Sequence, residues 1–476
     1  MNTPASPSEH AVAGRRVLPT LAEGAELLGE YRNSGYREPP RLVRLPNRQL
    51  VRLAPLLYLV AEALRDLPPP PASPPPSASP PSSADAVSTG DASPAVGTAI
   101  ARDGEVAAAL DEAAATVSRR AGVRITGEQV AYIADTKLAP LGITSYSDGR
   151  PPPLVKADPF LGLRFRMTLL PERGTWLLAG MFAWLFHPVV LVLAMGAVAS
   201  SEIWLLGSHS PAEALRQVIM RPVTILLVLA LSVFSCLFHE AGHAAACRYG
   251  GERPGVMGCG IYLVWPAFFT DITESYRLGR GARLRTDLGG VYFNGLYIVA
   301  LTLAYLQTGF APLLVVALYV NMEIVQQLLP TLRFDGYYIM SDLVGIPDLF
   351  KYIGPILSRT VLRRPADVRL DVLKRWPQLI VTAWVVTIVP VLVLQLGILF
   401  LSVPGLVVDL WRMTRTLAAN ATAGPLETVV SVLQILLLAL PVLGLALLAA
   451  QLVRWLARKI VALAVSRPRR PADQAA

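Results

Sequence analysis

In the segment FHEAGHAAACRYGG, His239, Glu240 and His243 stand at the spacing H-E-x-x-H inside a long apolar run. Four residues turn an α-helix by ~400°, so both imidazoles leave one face and can share a divalent ion, with Glu240 beside them as a general base. Ionisable groups in a membrane-length apolar segment are costly and are usually functional. The bland alternative is a pair of helix histidines satisfied by their neighbours. It is weakened by the chain having five histidines in all, two of them four apart in this one run. A hydrolytic zinc takes three protein ligands and leaves one position open. His10 lies in a polar arm, His187 in the first apolar block and His209 on the opposite side of the expected membrane. The third ligand is therefore expected to be a carboxylate.

The fourth apolar block ends LLPTLRFDGYY, which offers Asp335. His239 lies 17 residues beyond Pro222, or ~26 Å along a helix, near the far boundary of a ~30 Å hydrocarbon core. Asp335 is expected at the same boundary, where Gly336 would permit a sharp exit that turns the carboxylate inward. The alternative is a solvated acid at a helix end. Glu323, twelve residues earlier, is expected ~18 Å deeper if the helix is regular. It either serves a substrate group or water path, or makes an interhelical hydrogen bond.

The elements that position these groups follow from composition. Of 476 residues 53% are hydrophobic and 16% charged, against about 25% charged in soluble domains. The expected fold is an α-helical polytopic membrane protein of about six transmembrane helices. Spans are read at 175–200, 222–247, 288–306, 312–332, 377–402 and 426–453. The stretch 256–269, too short to cross, reads as a re-entrant hairpin. Nineteen Lys and Arg fall on the side holding 253–285, 333–375 and the tail after 454, against Arg216, Arg412 and Arg415 opposite. That bias places both termini in the cytoplasm of a multi-pass inner-membrane protein. The net charge of +9 is thus assigned to the lipid bilayer, and no nucleic acid partner is expected. Residues 1–50 do not read as a secretory signal. Cys236, Cys247 and Cys259 read as small core residues, and Asp271 as a loop acid.

Before the membrane block, residues 1–40 read as a mobile arm. Residues 41–148 read as a small winged-helix-like cytoplasmic unit. In it Leu42, Val43 and Leu45, a Pro46-Asn47 turn, and Leu50, Val51 and Leu53 form a hairpin, followed by helices at 54–67, 102–121 and from Thr126, where Thr126 and Gln129 have capping-box spacing. A Pro-rich linker, 68–94, interrupts the unit. Residues 149–174, mixed apolar and basic, read as an interfacial segment. Residues 175–460 hold the metal motifs, and 461–476 form a basic tail.

HEAGH on one span with P-x-x-x-[hydrophobic]-D-G on a later one resembles the site-2 protease family of intramembrane zinc metalloproteases. The resemblance implies one zinc per chain bound by His239, His243 and Asp335, with Glu240 activating water. Pro330 matches the family proline, and Gln327 stands where the family has an asparagine near the substrate strand. LPTLRFDGYYIMSDLVGIPDL, PAFFTDITESYR and GGVYFN look more like one branch, the peptide zinc metalloproteases found with ribosomal peptide natural-product pathways. In that branch Asn294 would hold a substrate carbonyl; the alternative is an ordinary helix–helix hydrogen bond. The N-terminal unit, with KLAPLG at 137–142, resembles the RiPP recognition element, which binds a leader peptide by strand addition; the alternative is a generic helical cap.

The function so implied is zinc-dependent hydrolysis of a peptide bond at the cytoplasmic membrane face, removing the leader of a ribosomally made precursor peptide. Two competing readings are a non-catalytic zinc-containing receptor or export partner, against which the intact Glu240 argues, and a regulatory intramembrane protease, which lacks an evident PDZ-like insert here. Oligomeric state and substrate identity are not legible.

Overall fold

The computed structural model describes residues 17–67, 94–153, 164–208, 211–219, 222–262, 265–365 and 367–420, with short helical pieces between 428 and 458. The chain divides into two compact units, Met1–Ala157 and Asp158–Ala476.

In the first unit the expected hairpin is present. β2 (Arg41–Arg44) and β3 (Leu50–Leu53) pair antiparallel with Val43 opposite Val51, and the turn closes through the Leu45 and Arg48 amides. The mobile-arm expectation for 1–40 fails over its described part. Glu26–Glu30 is a strand, β1, paired with β2 in a sheet of order β1-β2-β3, and Leu18 is buried. Its pairing carries a bulge between Leu27 and Gly29, which breaks the alternation that a strand reading relies on. Helices α1 (Pro55–Asp66), α2 (Pro94–Ala121) and α3 (Gly127–Ile133) cover the sheet. Val43, Leu45 and Leu53 meet Val60, Val117 and Val130 in the core. Thr126 and Gln129 form the capping box, side chain to backbone in both directions. The Pro-rich linker call, at 68–93, lies outside the described residues.

Among the described residues the second unit has five helices long and apolar enough to cross a membrane: Pro188–Gly207, Thr224–Tyr249, Gly289–Thr308, Ala311–Leu328 and Arg375–Gln395. The chain is a multi-pass α-helical membrane protein. The first expected span, 175–200, is instead two helices. α4 (Glu172–Phe182) ends in a 3₁₀ turn, His187 is extended, and α5 (Pro188–Ser208) starts at Pro188. A residue before proline is driven out of the α region, and proline is favoured in the first turn of a helix, so the break is local chemistry that an apolar average hides. On α5, Val192, Leu193 and Leu206 remain exposed, as a lipid-facing helix requires.

A short helix, α6 (Pro211–Ile219), precedes α7 (Pro222–Tyr249). The hairpin expected at 256–269 is β5 (Met257–Tyr262) and β6 (Trp265–Thr270), paired antiparallel. The segment read as interfacial, 149–174, contains a strand in its later part. Arg164–Leu170 is a strand, β4, on the other side of β5, so the sheet runs β4-β5-β6 and leaves β6 at an edge.

α8 (Arg280–Asp287) then leads into α9 (Gly289–Thr308) and α10 (Ala311–Leu328). α9 is the most buried of the spans, packed against both α7 and α10. Phe293 on α9 meets Phe238 on α7 at 4.7 Å between ring centres, and Phe182 of α4 stands edge-on to both. α11 (Asp335–Val344), α12 (Ile353–Thr360) and the one-turn α13 (Val368–Asp371) precede α14, which runs unbroken from Arg375 to Asn420 through Pro390 and Pro404. The sixth expected span, 426–453, lies in large part outside the described residues, and the tail 461–476 lies wholly outside them.

Candidate metal centre

α7 delivers His239 and His243 one turn apart, both almost fully buried. Their Nε2 atoms are 3.1 Å apart, with the rings nearly perpendicular. The Oδ2 of Asp335 lies 3.0 Å from His239 Nε2 and 3.4 Å from His243 Nε2. The three ligand atoms lie within 4.8 Å of one another, the arrangement of a site able to hold a metal ion. The histidine pair is local helix geometry, whereas Asp335 arrives from 92 residues further along the chain.

The donor chemistry fits a cation. His243 Nδ1 lies 2.8 Å from the Thr286 carbonyl, to which it donates, so the Nε2 lone pair faces Asp335. Asp335 Oδ2 is buried and has no hydrogen-bond donor among the described residues. The three candidate ligand atoms thus converge on one point. Burial alone would raise the Asp335 carboxyl, but the imidazoles of His243 and His239 hold it below the usual carboxylate range.

Glycines create the room. A Cβ on Gly290 would fall 2.4 Å from His239 Nε2 and 2.5 Å from its Cε1, so the ring rests directly on the α9 backbone. That contact fixes the His239 ring by packing, for its Nδ1 has no partner among the described residues. One turn away Gly242 and Gly289 cross so closely that a Cβ on Gly242 would fall 2.2 Å from the Gly289 carbonyl. This is the small-residue helix contact common between membrane spans. Gly290→Ala is expected to displace the imidazole and weaken the binding of a divalent metal roughly tenfold or more, read by competition with a chromophoric chelator. Gly281→Ala, whose Cβ meets nothing within 4 Å, serves as the control and is expected to leave affinity unchanged.

Gly336 does not make the exit expected of it. α10 ends at Leu328, the chain turns through 329–334, and Asp335 opens a new helix. Gly336 lies inside that helix, where a Cβ would sit 2.2 Å from the Leu328 carbonyl. The glycine permits close approach of α11 to the end of α10. The turn itself is held from two sides. Trp384 Nε1 on α14 donates to the Pro330 carbonyl at 3.0 Å, and the Arg333 amide donates to Tyr262 Oη on β5 at 3.1 Å.

Glu240 is half-buried, and among the described residues its carboxylate makes no hydrogen bond or ion pair. Its backbone carbonyl accepts from Thr270 Oγ1, at the end of edge strand β6, at 3.0 Å. The three other named residues fall as follows. Asn294, fully buried, lies one turn beyond Gly290 on α9; its Oδ1 accepts from Ser235 Oγ at 3.5 Å, and its Nδ2 has no partner among the described residues. Glu323 Oε1 accepts from Cys236 Sγ on α7 at 3.4 Å. Cys236 is three residues from His239, so Glu323 sits about one turn from the cluster, ~5 Å of helix rise, and not ~18 Å; the break at Leu328 shortens the path. Gln327 occupies the last turn of α10.

The chain resembles a curated Bacillus subtilis (strain 168) protein. That protein carries the name "Putative peptide zinc metalloprotease protein YydH"; it is 24% identical over 129 residues, covering 27% of this chain and 51% of that protein. The chain therefore spans about half the length of this relative. No family model matches, and no solved structure does.

Several contributors escaped the sequence reading. The Thr286 carbonyl is backbone and carries no residue-type signal. Thr270, Tyr262 and Trp384 act across long sequence separations. Gly290 and Thr270 left a trace, in the glycine pair that opens GGVYFN and in PAFFTDITESYR.

Proposed function

We propose that this chain is an intramembrane zinc endopeptidase of the site-2 protease type, acting at the cytoplasmic face of the inner membrane and removing the leader from a ribosomally made precursor peptide. The observation that carries the reading is the convergence of His239 Nε2, His243 Nε2 and Asp335 Oδ2, with Glu240 next to His239 in the chain. The likeness to a protein named as a peptide zinc metalloprotease supports it. A zinc held by these three residues would polarise a scissile carbonyl and make water more acidic.

The residues of the chain supply the rest. Glu240 takes a proton from water and returns it to the departing amine. Edge strand β6, tied to the Glu240 backbone through Thr270, offers an extended peptide a line of backbone partners next to the cluster. Asn294, whose buried amide nitrogen has no partner among the described residues, would donate to a substrate carbonyl. Gln327 borders the same turn, and Glu323 either serves the substrate or ties α10 to α7 through Cys236.

In the N-terminal unit the outer edges of β1 and β3, the end strands of the sheet among the described residues, suit the recruitment of a leader segment, as in a RiPP recognition element. The test is purified full-length protein in detergent, assayed for zinc content and for cleavage of any short precursor peptide encoded by a neighbouring gene. One zinc per chain and cleavage abolished by chelator are expected. Chelator-resistant cleavage, or a zinc-free protein that cleaves, refutes the proposal.

A further inference from the structure

Behind the ligand cluster lies a buried ion pair that the chemistry above does not use. Arg283 on α8 has no exposed surface; its Nε donates to Asp342 Oδ1 on α11 at 3.1 Å, and its Nη1 donates to the Leu278 carbonyl at 2.9 Å. On α8, Arg283, Thr286 and Asp287 follow one another at three and four residues, so they share a face. Thr286 of that face is the residue whose carbonyl holds His243. On α11, Asp335 and Asp342 are seven residues apart, two turns along one face. The helix that opens with Asp335 is thus pinned two turns later to the helix that orients His243. Asp287 lies beside Asp342, and burial together with that neighbouring carboxylate pushes its carboxyl well above the ordinary range.

We propose that Arg283 and Asp342 are positioning residues of the metal centre, their buried pair setting the separation between the α8 carbonyl that orients His243 and the α11 carboxylate that completes the ligand set. The proposal rests on reading the cluster as a zinc site. A buried ion pair gains little over hydrophobic residues of the same volume, because desolvation offsets the attraction; what such a pair supplies is one defined register between the elements it joins.

That physics dictates the experiment. Arg283→Met/Asp342→Leu replaces the pair by packed apolar side chains and is expected to restore folding relative to either single variant. Full-length wild type, this double variant and Arg283→Lys are purified in detergent. Zinc affinity is measured by chelator competition, the site is read by the visible spectrum of the cobalt-substituted protein, and folding by thermal unfolding of the metal-free form. The double variant is expected to unfold near the wild-type midpoint, bind zinc at least ~10-fold more weakly and show an altered cobalt spectrum. Arg283→Lys keeps the charge without the planar fork and should fall between the two.

A role confined to stability predicts wild-type zinc affinity and an unchanged cobalt spectrum once folding is restored, and that result overturns the proposal. Failure of both variants to fold overturns it as well. A wild-type chain that takes up no zinc removes the metal-site reading itself, and is recognised before any substitution is made.

Discussion

Glu240→Gln is expected to slow peptide cleavage by about 10²–10⁴-fold, the contribution of a positioned general base, while zinc content stays at one per chain. At ~1.36 kcal/mol per tenfold this is about 3–5 kcal/mol of barrier. The separation of the two readouts follows from the geometry. The amide matches the carboxylate in shape, so the half-buried position next to His239 is not repacked. The ligand atoms belong to other side chains, and the His243 tautomer is set by the Thr286 carbonyl, not by Glu240. What the amide lacks is a lone pair basic enough to take a proton from water. Single-turnover rates and metal analysis on one preparation decide the matter. Full activity in the variant would assign the base elsewhere; loss of zinc with activity would mean that Glu240 holds the site together.

Asp335→Asn should be the more damaging change, with zinc falling to a small fraction of the wild-type content and no measurable cleavage. In the proposed site the carboxylate would supply one of three protein ligands and the negative charge that offsets the ion, for its Oδ2 is turned to both imidazoles at 3.0 and 3.4 Å. An amide oxygen is a weaker ligand, and an amide rotated to present nitrogen would place N–H groups against the imidazole lone pairs. Metal analysis after gel filtration, with added zinc as a parallel arm, reads the effect. Binding of the metal to the folded state alone also stabilises it by mass action, so zinc should raise the unfolding temperature of the wild type and leave that of the variant nearly unmoved. A variant that retains stoichiometric zinc would show that Asp335 is not a ligand.

Much of this site could be read along the chain because its parts are locally determined. The four-residue spacing of His239 and His243 becomes a shared face wherever a helix forms, and the apolar runs that became α7, α9 and α10 make a helix obligatory in a setting without water to satisfy the backbone. The capping box at Thr126 and the hairpin around Pro46-Asn47 are likewise decided within a few residues. Asp335 was legible for a related reason: charge at the ends of apolar runs reports depth.

Tertiary structure decided everything that depends on a partner far away in the chain. Strand β1 exists because β2 is there to receive it, and its bulge concealed the alternation; β4 joins a sheet whose other strands begin almost ninety residues later. The depth of Glu323 was misjudged because a regular helix was extended through Leu328, where α11 folds back over the end of α10. The carbonyl of Thr286, the Arg283–Asp342 pair and the bare backbone under His239 are set by how three helices pack, and no residue spacing encodes that. Spacing along one helix is a property of backbone geometry, whereas the meeting of ligands from different helices is a property of packing, which only the folded chain possesses.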